Sequence, residues 1–192
     1  AAPRVDNLDI DSDEARHSCH MVGMNLLTAR HGGGYAEKWS SQWHVDGWVF
    51  LPRDEDIRWD ARIPFPVFLV TAEYILTDPP AGGAPLEVVP GSHKSGRRPE
   101  PGTQEPAYEG RGPRRVRAEA GDCILFASTL WHRMADPGEG RLALQVHYGA
   151  RFMGRNLGPS ATTIQVPDDL LERSSPRRRR LLGEHPGSGP FS

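Results

Sequence analysis

Trp43-His44-Val45-Asp46-Gly47 is the segment with the clearest capacity for chemistry. Side chains two apart on a strand point to one face, so His44 and Asp46 would project together, an imidazole beside a carboxylate. Those are two of the three ligands that a non-haem Fe(II) site uses. Taken alone, His-x-Asp is also what a half-buried strand yields by chance. A third ligand has to arrive from a distant strand, and His132 fits. Gly121-Asp122 makes a turn into the apolar run Cys123-Ile124-Leu125-Phe126, and Leu130-Trp131-His132 follows. Arg141 then opens another apolar run. A guanidinium there suits two-pronged capture of a carboxylate, although Arg141 by itself also reads as an exposed cation at a strand start.

The remaining reactive residues read more plainly. His93 lies in Val89-Pro90-Gly91-Ser92-His93-Lys94, a turn leaving a strand, and takes a structural role. His17, His20 and His31 match no zinc spacing and have no cysteine pair beside them. Cys123 reads as an inert core thiol. The run from Arg177 to Arg180 reads as the solvated face of a short helix, not as a nucleic-acid contact. Phe50, Trp59, Phe65 and Phe68 are expected in the core. Trp48 reads the same way and is also, with Gln42, a candidate for substrate contact.

Short apolar runs separated by Gly and Pro predict strands over 22–29, 42–50, 67–76, 86–89, 115–118, 123–128 and 142–152. That pattern predicts a mainly β fold of the sandwich or jelly-roll kind, with few helices. Two helical turns are expected over 168–173. A second helix is expected over 177–184, with Ser175 as N-cap, Pro176 at the first helical position and Pro186 as the stop. Long loops over 31–40, 52–66 and 94–113 suit lids or binding loops. The last residues, 186–192, read as a frayed tail. No glycine-rich phosphate loop follows any strand, which argues against a nucleotide-binding α/β fold.

Composition bounds the function from outside. The chain has 192 residues, enough for one core, and 37% are hydrophobic with no run approaching a membrane span. The net charge of −2 gives no global attraction to nucleic acid. Two cysteines exclude a disulfide framework, and residues 1–12 lack an apolar leader, so a cytoplasmic protein is expected. Only Lys38 and Lys94 are lysines among 23 basic residues, a bias typical of GC-rich bacterial genomes.

Three blocks in order give the chain a family likeness. Trp43-His44-Val45-Asp46-Gly47, then Pro85-Leu86-Glu87-Val88-Val89-Pro90-Gly91-Ser92-His93-Lys94, then Gly121-Asp122 with Trp131-His132 and Arg141, resemble the phytanoyl-CoA dioxygenase family. The resemblance runs from Val22 to about Arg151. It implies a double-stranded β-helix (cupin-like jelly roll) and an Fe(II)- and 2-oxoglutarate-dependent oxygenase that also consumes O2. Residue by residue it implies that His44, Asp46 and His132 bind iron and that Arg141 grips the C5 carboxylate of 2-oxoglutarate. Succinate and CO2 would be released as a small-molecule substrate is oxidised, with hydroxylation the default. Related halogenases carry Ala or Gly where Asp46 stands, so the carboxylate favours oxygen chemistry.

Further expectations follow the same likeness. Met24, Asn25 and Thr71 are candidates for cosubstrate contact, with core packing the alternative for Met24. Glu73, Gln145 and His147 are candidates for substrate contact, the last two sharing a strand face with Arg141 and Ala143. The histidine-to-arginine spacing is slightly shorter than usual, and Thr71 or Glu73 stands where many relatives have Trp. Residues 1–192 would form one oxygenase domain lacking part of its N-terminal region, as monomer or homodimer. Secondary metabolism suits the composition. The rival readings are a cupin-like metal protein that makes no use of 2-oxoglutarate, to which Arg141 would be superfluous, and a non-catalytic binding module.

Overall fold

The structure is a computed structural model that describes residues 19–28, 41–46, 59–60, 62–63, 65–78, 86–134, 142–150 and 166–183. Among them are seven strands: β1 (Cys19–Thr28), β2 (Leu69–Ile75), β3 (Leu86–Val88), β4 (Arg114–Val116), β5 (Cys123–Ala127), β6 (His132–Arg133) and β7 (Leu142–Ala150). Two short helices follow, α1 (Asp168–Glu172) and α2 (Pro176–Leu181). The mainly β expectation holds. Strands β1 and β7 divide between two compact units, residues 25–145 and residues 1–24 with 146–192.

One sheet has the order β1-β7-β2-β5. β2 and β5 are antiparallel, with Thr71 opposite Phe126 and Glu73 opposite Ile124. Leu69, Thr71, Glu73 and Ile75 share the buried face of β2 by the two-residue period, while Tyr74 is exposed on the other. The second sheet, β4-β3-β6, is antiparallel at both pairings. His132 extends it: its N–H donates to the His44 carbonyl at 3.0 Å, and the His44 N–H returns the bond at 2.9 Å.

A cross-strand ladder holds the second sheet. Glu87 on β3 lies opposite Arg115 on β4 and Arg133 on β6. Arg133 Nε donates to Glu87 Oε2 at 2.7 Å and Arg115 Nε to Oε1 at 3.1 Å. Burial opposes ionisation of Glu87, but the two guanidiniums outweigh it and hold the carboxyl below its usual range.

Behind His44 and Asp46, Trp43 and Val45 face a cluster with Phe65, Val89 and Trp131, against which Trp59 and Tyr108 pack. The segment after β3 covers this cluster. It opens with one 3-10 turn, Ser92–Lys94, and Ser92 Oγ accepts from the Trp131 N–H at 2.8 Å. Two indoles then pin it: Trp131 Nε1 donates to the Arg97 carbonyl at 2.8 Å and Trp43 Nε1 to the Gln104 carbonyl at 3.0 Å. Gly96, just before the first of these, has φ +63°, and a Cβ there would lie 2.5 Å from Trp59 Cβ, so a side chain is not accommodated.

In residues 1–24 with 146–192, Met21, Val22 and Val146 are buried, and Gly23 packs under His147. Ser175 caps α2 by accepting from the Arg178 N–H, with Pro176 at the first helical position as expected. The helix ends at Leu181, short of 184.

Three expectations are corrected. The strand over 42–50 is, among its described residues, a single bridge at His44, because Asp46 already bonds to Ser128 on a turn instead of continuing the ladder. Cys123 is exposed, since it lies on the outward face of β5, at the end of its sheet. Met24 is 49% exposed and is no core residue.

Glu87→Gln is expected to cost about 1–3 kcal/mol at pH 7, mostly through Arg133, since Arg115 is well exposed and screened. A group with a depressed pKa stabilises above its ordinary value, here 4.5, and stops doing so as the pH falls through the folded value. Denaturant titrations should therefore show the gap between wild type and Glu87→Gln closing as the pH falls below 4.5 and through the folded value.

Candidate metal centre

The reciprocal bond pair between His44 and His132 sets their side chains directly opposite, with ring centroids 4.3 Å apart. Residue alternation puts Asp46 on the same side as His44. The result is a compact triad: His132 Nε2 is 3.6 Å from Asp46 Oδ2 and His44 Nε2 is 3.9 Å from Asp46 Oδ1. One ligand atom from each residue lies within 4.8 Å of the others.

Both rings are oriented by the same local device. His44 Nδ1 donates to the Gln42 carbonyl at 2.6 Å, and His132 Nδ1 to the Leu130 carbonyl at 2.8 Å. Each histidine thus bonds to the carbonyl two residues before it, which fixes the tautomer with Nε2 as the lone-pair atom turned to Asp46. Asp46 is steadied too. Thr71 Oγ1 donates to Oδ2 at 3.4 Å, and Ser128, 2.7 Å from Thr71, then donates to Thr71. Both hydroxyl residues are fully buried. The ring of Phe126 stands edge-on to His132 at 4.9 Å.

The electrostatics separate the two imidazoles. Burial, and then the proximity of His132, push His44 down to about 4 despite Asp46, so its ring is neutral at pH 7. Burial is also the largest influence on His132 and lowers it, but the Asp46 carboxylate, the Leu130 carbonyl and the charge of Glu73 together raise it. Two neutral-capable imidazoles and one carboxylate, with Nε2 atoms facing the carboxylate, suit Fe(II) or a similar divalent ion with coordination positions left over.

The family model for phytanoyl-CoA dioxygenase (PhyH) matches residues 13–135, and both histidines and the aspartate lie inside that span. The chain belongs to the phytanoyl-CoA dioxygenase family. Its fold is accordingly a jelly roll of the cupin kind, whose two described sheets do not close on one another. The chain is also similar to several solved structures. One is the epimerase SnoN in complex with Fe3+, alpha ketoglutarate and nogalamycin RO, at 20% identity over 77% of this chain and 60% of that one (TM-score 0.45). Another is HygX from Streptomyces hygroscopicus with iron bound, at 19% over 80% and 66% (TM-score 0.46). A third is the non-heme monooxygenase ThoJ, at 19% over 79% and 55% (TM-score 0.47). The chain spans between about half and two thirds of the length of these relatives.

In this member of the dioxygenase family, His44, Asp46 and His132 come together. Arg141 and Trp48 lie outside the described residues. Thr71 reaches the centre as the partner of Asp46, and Glu73 is buried two residues along the same face of β2. The Gln42 side chain is exposed, and its carbonyl orients His44. Asn25 is exposed, Gln145 half-buried, and His147 half-buried beside Gly23. Sequence reasoning missed Ser128 and Phe126, which become visible only once β5 is registered against β2.

His44→Ala, Asp46→Ala and His132→Ala are each expected to weaken Fe(II) binding by more than about 100-fold, a larger loss than removal of a supporting contact gives. Thr71→Val should weaken it only about 10-fold, as it removes a supporting hydroxyl. Anaerobic Fe(II) titration of the four variants checks both statements, with circular dichroism as the folding control.

Proposed function

We propose that this protein is an Fe(II)- and 2-oxoglutarate-dependent oxygenase that oxidises a small molecule, with hydroxylation the principal reaction. The observation that carries the reading is the convergence of His44 Nε2, His132 Nε2 and the Asp46 carboxylate with both Nδ1 atoms fixed on backbone carbonyls. Membership of the phytanoyl-CoA dioxygenase family supports it. When bound, iron and 2-oxoglutarate supply an oxidant able to take hydrogen from an unactivated carbon, with O2 consumed and succinate and CO2 released.

The residues of the chain have distinct parts in this reading. His44, Asp46 and His132 would hold iron through three donors, which leaves coordination positions for cosubstrate and O2. Arg141 fixes the C5 carboxylate of 2-oxoglutarate through two parallel hydrogen bonds, which sets the cosubstrate's direction of approach. Phe126 and the buried stretch of β2 cover the histidine side, and a drier surrounding would strengthen the hold of Asp46 on a bound cation. The substrate is a product of bacterial secondary metabolism, a reading that the arginine-rich composition supports.

Anaerobic addition of Fe(II) and 2-oxoglutarate should give a weak visible charge-transfer band, and admission of O2 should give succinate. Absence of the band would leave only a metal-binding or non-catalytic reading. In Arg141→Ala the 2-oxoglutarate requirement for succinate formation should rise about 30-fold or more, the loss typical of one buried charge partner. Fe(II) affinity should stay within about twofold, because other residues hold the metal.

A further inference from the structure

The register of the second sheet sorts its side chains onto two faces, because residues directly opposite one another in an antiparallel pair point the same way. Glu87 lies opposite Arg115 and Arg133 and meets both in ion pairs, so these three occupy one face. The residues one position away occupy the other. There Arg114 of β4 lies opposite Val88 of β3, Val88 opposite His132 of β6, and His132 opposite His44. Arg114, Val88, His132 and His44 thus form one cross-strand row, and the row ends on two of the candidate metal ligands.

Packing agrees with this assignment. Val116, two residues from Arg114 and on its side of β4, packs with Val88 against the cluster of Leu86, Phe126 and Leu130. Phe126 in turn stands edge-on to His132. Among the three arginines of this sheet, Arg114 shares a face with the metal centre, whereas Arg115 and Arg133 point away from it.

The two neighbouring arginines of β4 differ in what they meet. Arg115 Nε is bound to Glu87. The Arg114 side chain is exposed and makes no hydrogen bond or ion pair with any described residue. Exposed arginines are common on any surface; the placement of this one is not. It starts two strand spacings, roughly 10 Å, from His132 on the metal side, with half-buried Val88 between them. That order suits an elongated anionic molecule. Its oxyanion would meet the guanidinium fork, its carbon skeleton would lie over Val88, and its far end would reach the metal.

We propose that Arg114 receives an oxyanion of the substrate, a carboxylate or a phosphate, and so selects an anionic small molecule whose oxidised carbon lies several bonds from that group. The word substrate rests on the oxygenase reading; an anion site on the metal side does not. Arg114 is in this account a specificity-determining residue. Its exposure suits a group that arrives from solvent at each turnover, while the cosubstrate carboxylate stays with Arg141.

Inorganic phosphate and acetate are the probes that test it. Calorimetry on the metal-free protein at constant ionic strength should show saturable binding of at least one, and the stronger probe identifies the class of oxyanion. Arg114→Gln should weaken that binding about tenfold or more, and Arg114→Lys less, since it keeps the charge without the fork. Arg117→Gln removes the exposed arginine just beyond β4 and should leave binding within about twofold. Mn(II) added to the same samples then locates the probe, with EPR reporting that the ion is bound. Paramagnetic relaxation of the probe's phosphorus or carbon signal should give a separation of roughly 10 Å, too long for direct coordination. No saturable binding of either probe, equal loss in Arg117→Gln, or no relaxation while Mn(II) is bound would overturn the proposal. The Fe(II) and 2-oxoglutarate band separates the two readings. Its absence in wild type defeats the oxygenase reading and leaves the anion result standing. A rise of about 30-fold in the 2-oxoglutarate needed for the band in Arg114→Gln would assign Arg114 to the cosubstrate and overturn the proposal.

Discussion

Two backbone hydrogen bonds between His44 and His132 fix the register on which every other feature of the site depends. A slip of one residue at this pair would turn both imidazoles to the opposite face and bring Trp43 and Trp131 into the place of the ligands. The same register gives Arg133 its position over Trp43 and sends Val45 and Trp131 into the cluster behind the centre. One pairing thus separates a polar, ligand-bearing side from an apolar, load-carrying one. The indoles beside the two histidines then tie the apolar side to the segment after β3.

The polar side is expensive for the fold. His132, Glu73, Thr71 and Ser128 are all buried, and burying polar groups costs free energy unless each is partnered. The hydroxyls answer this by bonding one another and Asp46, and the histidines by bonding carbonyls two residues back. Two imidazoles at a centroid distance of 4.3 Å around one carboxylate would gain more from apolar packing if stability alone were at stake. A cation held by the three side chains would supply that compensation, as the proposed iron site requires.

The sequence made the local features legible and the pairwise ones opaque. Alternation alone predicts that His44 and Asp46 share a face, and the cap at Ser175 with Pro176 reads directly into α2. The turn at Ser92–Lys94 follows from its Pro-Gly-Ser block. By contrast β6 is two residues long and has no periodicity of its own, existing only because β3 and His44 flank it. Glu87 with its two arginines is likewise invisible until three strands are aligned. Cys123 and Met24 were misplaced for a related reason, since apolar neighbours reveal that a strand is present but not which face of it another layer covers. The convergence of His44, Asp46 and His132 was legible because the family blocks carry those residues; the hydroxyl relay behind Asp46 was not, because Thr71 and Ser128 are distant in sequence.

The central claim is that a single Fe(II) is held by two imidazole nitrogens and one carboxylate, from His44, His132 and Asp46. X-ray absorption at the iron edge of the anaerobically loaded protein tests it most directly. The account predicts two imidazole scattering patterns per iron in wild type, reduced to one in His44→Ala and likewise to one in His132→Ala. Two imidazoles persisting in either variant, or fewer than two in wild type, would contradict it.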